Sequence, residues 1–442
     1  MIKNKKIAEH FLDNLKLPAT FINFNLTLKN PQMKKLLLFV LPALLLFVNS
    51  CDKNESAFID QPNVLKVDST LITIDFARYS MLGDQVHFII ADEDGTIIKS
   101  VEYKDGTSPF KIYSKSQFDK ERVNVFMVSI PSEKSSIASV FAYLQVKKGG
   151  IWTNRNTEKP QKPHTLPLKI QIKPGSIFDK MTFSTDMLGG GPLSTADTAF
   201  VNSQQYPYSD DSKIFVQVKK NNQVLYNFLD ITKGTKDFIL DVAQCTKISS
   251  SKIITNPGTD LQMLSYAIPD TNFRNWYHLG SGRSFSNQLE YFYPSETFQK
   301  YWTLIIYDKN DLSYWHSFFD TEIPDKVEPF DIAFSIGGEY LTSFKPKVTG
   351  KFDYYDARFN NQNPRTFVTS IHSPSSAHYS DIKFPDFSKC IKSMKFDFST
   401  QKITEFNVHQ IDNFDEQKFS YQTYNSFLST SGNAKAVLKR YK

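Results

Sequence analysis

The sequence predicts an all-β protein built of tandem antiparallel β-sandwich domains. Three observations carry that expectation. Short apolar runs rich in β-branched and aromatic residues recur from about Asn63 onward, divided by turns rich in Gly, Asn and Asp. Several of these runs are joined closely enough to read as hairpins. No long stretch holds a 3.6-residue apolar period; short polar, Ser-rich segments and "SETFQKYW" at 295–302 read at most as single helical turns.

The hairpins are read in chain order. "VHFIIADEDGTIIKSVEY" (86–103) turns at Asp94-Gly95, and "VFAYLQVKKGGIWT" (140–153) turns at Gly149-Gly150. "IFVQVKKNNQVLYNF" (214–228) turns at Asn221-Asn222, and "WTLIIYDKNDLSYWHSF" (302–318) at Asn310-Asp311. Short connections join antiparallel neighbours, so sandwiches or meanders are expected over parallel βαβ units. Residues 63–157 have the size and strand rhythm of an immunoglobulin- or fibronectin-like sandwich, without the Cys…Trp…Cys pattern. "TEKPQKPHTLPL" (157–168) places Pro160, Pro163 and Pro167 where a regular sheet would need donors, marking 158–168 as a linker. Residues 169–442 form a β-rich C-terminal region, either one large domain or two divided near 325. No repeat of fixed period runs through it.

Upstream of the strands, Leu36–Val48 is an unbroken apolar run preceded by Lys34 and Lys35 and followed by Asn49, Ser50 and Cys51. A spanning helix needs about 20 apolar residues, so the run is short for a permanent anchor and has the layout of a secretory signal. Val48-Asn49-Ser50-Cys51 resembles the lipobox of bacterial lipoproteins, in the looser form of Bacteroidota lipoproteins ending in Ser-Cys. The resemblance covers this segment only, and Asn49 departs from the smaller residue usual there. It implies a thioether from Cys51 to diacylglycerol, cleavage before Cys51, and acylation of the new amine. Acyl chains at about 0.8 kcal/mol per buried methylene anchor a protein without a spanning helix. Asp52 and Glu55 fit the acidic residues that accompany export to the outer surface in that group. The expected segments are an upstream extension of a mis-assigned start (1–32), a signal peptide from Met33 (33–50) and a tether (51–62). The expected location is the outer membrane or cell surface.

That reading also relocates the charge. Seven Lys against Glu9 and Asp13 put +5 of the formal +6 within residues 1–50, leaving +1 from Cys51 onward. A chain so nearly neutral lacks the basic footprint of a nucleic-acid binder. With Cys51 committed to lipid, Cys245 and Cys390 remain: either one disulfide in an oxidising compartment or two buried thiols.

Motifs for chemistry are sparse. Gly189-Gly190-Gly191 is followed by Pro192 rather than the Gly-Lys-Ser/Thr of a phosphate loop, so a flexible loop accounts for it. "GSGRSF" (280–285) is no nucleophile elbow and reads as a strained or close-packed turn. His372 and His378 lie at a spacing foreign to zinc sites and read as loop histidines, although they could converge with Asp381 on a metal. Asp92-Glu93-Asp94 and Asp210-Asp211 lack a calcium-loop spacing, and turn chemistry explains the first. Asp68-Ser69-Thr70 and Asp197-Thr198-Ala199 resemble the short O-glycan acceptors of Bacteroidota envelope proteins. No cofactor is expected.

The densest feature is aromatic. From Phe273 to Phe319, 15 of 47 residues are Phe, Tyr or Trp, including Trp276, Trp302 and Trp315, with Arg274, His278, Arg283 and Glu290 interspersed. Aromatic side chains with a polar rim suit sugar rings or a protein partner, while strand alternation sends about half of them inward. The expected function is therefore a lipid-anchored binding or interaction module for a glycan or an envelope protein, more readily than an enzyme. Two other classes stay open: a glycan hydrolase with a facing carboxylate pair, and a structural subunit of an outer-membrane complex.

Overall fold

The computed structural model describes residues 70–76, 85–104, 108–114, 118–131, 137–153, 164–186, 190–193, 199–208, 213–231, 237–268, 276–295, 297–361, 367–376, 383–393, 395–416 and 433–441. The segment 1–62 with Cys51, both short Asp-Ser/Thr motifs as wholes, Asp210-Asp211, His378 and Asp381 lie outside them. Among the described residues no helix is long and apolar enough to cross a membrane.

The all-β expectation is met. The first seven strands are β1 (Thr70–Asp75), β2 (Gln85–Ala91), β3 (Ile97–Glu102), β4 (Phe110–Tyr113), β5 (Arg122–Ile130), β6 (Ala138–Lys147) and β7 (Ile151–Thr153). Eight follow: β8 (His164–Ile172), β9 (Lys180–Thr185), β10 (Gly190–Leu193), β11 (Ala199–Tyr208), β12 (Lys213–Lys220), β13 (Gln223–Asp230), β14 (Asp237–Leu240) and β15 (Thr246–Lys247). Next come β16 (Ser251–Thr255), β17 (Thr259–Ile268), β18 (Tyr277–Ser284), β19 (Gln288–Phe292), β20 (Lys300–Lys309) and β21 (Leu312–Asp320). The last are β22 (Ala333–Gly337), β23 (Lys345–Thr349), β24 (Tyr354–Asn360), β25 (Phe367–Pro374), β26 (Lys402–Ile411) and β27 (Ala434–Arg440).

A 12-stranded sheet organises them, in the order β18-β17-β20-β21-β27-β26-β24-β25-β6-β5-β2-β3. It draws strands from both sides of the proline-rich 158–168 segment and from both sides of residue 325. Half of that proline-rich segment is itself strand, since β8 begins at His164. Every pairing in the large sheet is antiparallel except β25 with β6, where Phe367 stands beside Ala138 and His372 beside Tyr143.

Both faces of this sheet are covered over its β2–β6 end. On one face the small sheet β4-β1-β7 closes a seven-stranded sandwich whose core joins Leu71, Ile74 and Phe76 to Phe88, Val125 and Trp152. On the other, the β22–β23 hairpin and the phenylalanines of 384–398 cover Phe126, Val140, Phe359, Ile371 and Phe406. This explains why β5 (RVNVFMVSI) does not alternate: its seven central residues are all buried. A strand buried on two faces reads as a continuous apolar run. By contrast, β17 keeps one core face, Leu261, Met263, Ser265 and Ala267. Outside the large sheet, β10-β9-β12-β13-β15 packs through Ile214, Val216 and Val218 on Ile170, Phe238 and Leu240 of β8 and β14.

Three of the four expected hairpins form. Asn221-Asn222 and Asn310-Asp311 all have positive φ (48°, 61°, 53° and 60°), the two-residue turn whose twist matches paired strands. At Asp92–Thr96, Asp92 Oδ1 accepts from Asp94 N (3.0 Å) and Thr96 N (2.8 Å), so turn geometry uses this acidic loop. The fourth is corrected. Gly149-Gly150 does not fold β7 back on β6 but carries the chain to the opposite layer, where β7 pairs parallel with β1. Gly149 N donates to Leu71 O (2.9 Å) and Thr73 N to Gly150 O (3.0 Å), so the turn is satisfied by β1.

Cys245 and Cys390 are free thiols in different cores. Cys245 packs beside the β8–β14 core, where burial pushes its thiol up to about 11, and Cys390 packs beside Phe387 and Ile391.

Candidate functional site

Directly opposed residues of an antiparallel pair share a face, so register decides where the aromatic residues point. His278 stands opposite Tyr266, Tyr266 opposite Trp302, and Trp302 opposite Phe319. Trp276 lies two residues before His278 and Trp315 four before Phe319. The three tryptophans singled out from sequence therefore lie on one face of the large sheet. The other face takes Tyr277, Tyr301, Tyr307 and Phe298 into a core with Phe215 and Ile305.

The outer face is a nested cluster rather than a flat platform. Trp302 is 2% exposed, and Trp276 and Trp315 are partly buried. Ring centroids lie 6.2 Å apart for Trp276 and Trp302, 5.3 Å for Tyr266 and Trp302, and 5.2 Å for Tyr266 and His278. Lys300 Nζ stands 4.8 Å over the Phe319 ring. Trp302 is a packing residue, while Trp276 occupies the edge of the cluster.

That edge is built by β18. An outermost strand exposes a row of backbone donors that must be covered or paired. Here β9 covers it: Trp276 N donates to Asp186 O (2.6 Å) and His278 N to Ser184 Oγ (2.9 Å). Phe215 and Phe228 of the β9–β15 sheet then pack on Tyr277 and Phe298, with ring centroids 5.9–6.3 Å apart in the four pairs. Along β12 the same face then turns from Phe215 to Gln217 and Lys219, and the packing gives way to a cleft.

The cleft has a volume of about 350 Å³ and is lined by Lys180 and Thr182 from β9, Gln217 and Lys219 from β12, and His278 and Ser281 from β18. A bulge in β18 shapes its wall, since Ser265 pairs with Gly280 but Tyr266 with His278. Gly280 has φ +114°, and a Cβ there would lie 3.5 Å from Gln217 Oε1. The stretch "GSGRSF", expected as a strained or close-packed turn, is thus mostly strand, and Gly280 supplies its positive φ. No carboxylate is among the described residues lining the cleft. His278 Nε2 is buried without a hydrogen-bond partner, and burial holds the imidazole below its ordinary pKa. Arg283 and Glu290 lie elsewhere: Arg283 forks onto Asp260 (2.8 and 2.9 Å), and Glu290 stands opposite Ile253.

A second cavity, about 380 Å³, lies beside the stacked Tyr307 and Tyr314 rings (5.1 Å), with Asp331 the one carboxylate among the described residues lining it. A third feature escaped the sequence. Asp356, His372 and His409 come together on neighbouring strands β24, β25 and β26, with His409 Nε2 2.5 Å from Asp356 Oδ2. Asn407 Nδ2 donates to Asp356 Oδ1 at 2.8 Å. His372 is therefore a strand residue stacked on Tyr143 at 4.8 Å, not the loop histidine expected. Burial works to raise the Asp356 carboxyl, and the charge and hydrogen bond of His409 outweigh it and hold it low. Burial pushes His372 down to about 4. The only advance signal was polar residues at alternate positions in "YYDARF" and "FNVHQI". Among the described residues no group of three His, Cys, Asp or Glu is arranged to hold a metal.

No family model matches this chain, and no curated protein is similar to it in sequence.

Proposed function

We propose that the protein is a lipid-anchored cell-envelope protein that binds a glycan in the cleft between β9, β12 and β18 and on the aromatic edge beside it. The observation that carries this reading is the junction at His278, one residue that both lines a polar cleft and touches the Tyr266–Trp302–Trp276 cluster. Sugars present apolar ring faces and a rim of hydroxyls, and a concave site with an aromatic wall and convergent polar groups matches both. A cleft lining without paired carboxylates favours binding over glycoside hydrolysis, which needs two acids across the scissile bond.

A glycan screen on the chain from Asp52 onward tests the reading. Trp276→Ala should weaken binding about tenfold, the loss expected for one stacking contact. Equal binding by parent and variant would sink it. Trp302→Ala belongs to a different class, because removing a buried indole costs about 3–5 kcal/mol of stability. The anchor is tested separately: Cys51→Ser should move the protein from the membrane fraction to the soluble one, and retention would refute lipidation at that residue.

A further inference from the structure

We infer that the cleft selects an acidic glycan, one whose sugars carry a carboxylate or a sulfate, and that the charged group sits between the Lys180–Lys219 pair and the His278 imidazole. The inference rests on the glycan reading above and adds the class of glycan to it.

The first observation is a placement that costs the fold energy. Lys219 of β12 stands directly opposite Lys180 of β9. Side chains so opposed have Cβ atoms about 4.5–5.5 Å apart, and like charges in that position destabilise a sheet. A nearby carboxylate would offset the repulsion, yet neither lysine has an ion pair among the described residues. The nearest acid in sequence, Asp179, uses Oδ2 to accept from Asn221 N (2.9 Å), so it secures the β12–β13 turn instead. Two lysines at opposed positions of one sheet, neither with an ion pair among the described residues, line the cleft and give it an anion site.

The second observation comes from the opposite wall. His278 Nε2 is buried and unpartnered, and a buried nitrogen in that condition costs stability until an acceptor or donor reaches it. An imidazole carrying its proton on Nε2 donates to an anionic oxygen. Between the walls, the next cross-strand pair, Gln217 opposite Thr182, offers an amide and a hydroxyl to neighbouring sugar hydroxyls. Gly280, at φ +114°, leaves this wall of the cleft without a side chain beside Gln217. Hydrogen bonds to an ionised acceptor are roughly twice as strong as neutral ones, so the charged group dominates selection.

The experiment is calorimetric titration of the chain from Asp52 with an oligogalacturonate, a sulfated oligosaccharide and a neutral oligosaccharide of equal length. The acidic ligands should bind at least about tenfold more tightly than the neutral one. Lys180→Gln with Lys219→Gln should erase that margin, bringing the acidic ligands down to the affinity of the neutral one. The two acidic arms tell carboxylate from sulfate. Lys180→Glu provides a readout that needs no ligand: it pairs with Lys219 and should raise the thermal midpoint while abolishing acidic binding. Equal affinity for acidic and neutral sugars, or an intact margin in the double variant, overturns the inference while the glycan reading stands. Inorganic sulfate is a fourth titrant: sulfate bound by the parent and lost in Lys180→Glu, with no sugar bound, overturns the glycan reading and this inference with it. Absence of binding by every probe overturns both.

Discussion

At Asp356 a carboxylate, two imidazoles and an amide meet on three neighbouring strands, and the protonation of Asp356 and His372 is tied to folding. The folded carboxyl lies below its ordinary value, so its contribution is complete above that value and is lost as pH falls through the folded one. His372 acts higher on the scale. Its folded value of about 4 lies below the 6.5 of an unperturbed imidazole, so the unfolded chain takes the proton first. Stability from His372 is therefore full above pH 6.5 and falls between 6.5 and 4. Going from pH 7 to pH 5 should cost about 2 kcal/mol through this residue. His372→Phe, which keeps a ring for Tyr143 to stack on, should flatten that part of the urea-midpoint profile; an unchanged profile would place the titration elsewhere. Beyond polar residues at alternate positions of two strands, this cluster was not legible in the sequence. His372 was visible only as a histidine near His378, whereas its partners Asp356 and His409 are supplied by sheet pairing.

Strands and two-residue turns depend on local chemistry, and at the scale of the element the sequence was informative. Asn221-Asn222 and Asn310-Asp311 adopt positive φ because short polar side chains tolerate it, so those hairpins could be read directly. Gly149-Gly150 misled for a physical reason. Its local signal specifies a turn, but the partner waiting beyond it is β1, a strand from another layer. The tryptophans show the same limit: alternation gives their relative facing, while the burial of Trp302 depends on neighbours brought from β17 and β18. One glycine makes the element scale testable. Gly338 follows β22 with φ +80°, and a Cβ there would lie 2.2 Å from Ser343 O. Gly338→Ala should therefore destabilise the hairpin that covers Phe359 and Phe406, lowering stability by about 1–3 kcal/mol in denaturant unfolding. A neutral result would mean that the 338–343 turn shifts at no cost.

Across the whole molecule, the 12-stranded sheet depends on two joints that no local pattern announces. One is the parallel contact of β25 with β6. The other is β27, which pairs with β21 on one side and β26 on the other. Asn433 reinforces it by accepting Phe319 N through Oδ1 at 2.9 Å. Ending the chain at Gly432 removes the only strand between β21 and β26 in this order and leaves both with unpaired edges. We expect the shortened protein to lose its single cooperative thermal transition and to associate, as seen by calorimetry and size-exclusion chromatography. A monomer with the parent's transition would show that the two halves of the sheet are independent. The proline-rich segment and the 321–334 stretch were visible as changes of composition, but the sheet passes across both, because strand partners are chosen by complementary faces rather than by nearness in the chain.

The joint between β6 and β25 also sets a clock. Phe367 reaches Ala138 across more than two hundred intervening residues. At a synthesis rate of roughly 5–20 residues per second, the β6 edge waits about ten seconds or more for the strand that completes it. During that wait Ala138–Lys147 offers an unpaired, apolar strand edge to any neighbouring chain. Yield of the folded protein is then governed by crowding among newly made copies, and slower production or lower temperature should favour it for a reason that the finished structure no longer displays.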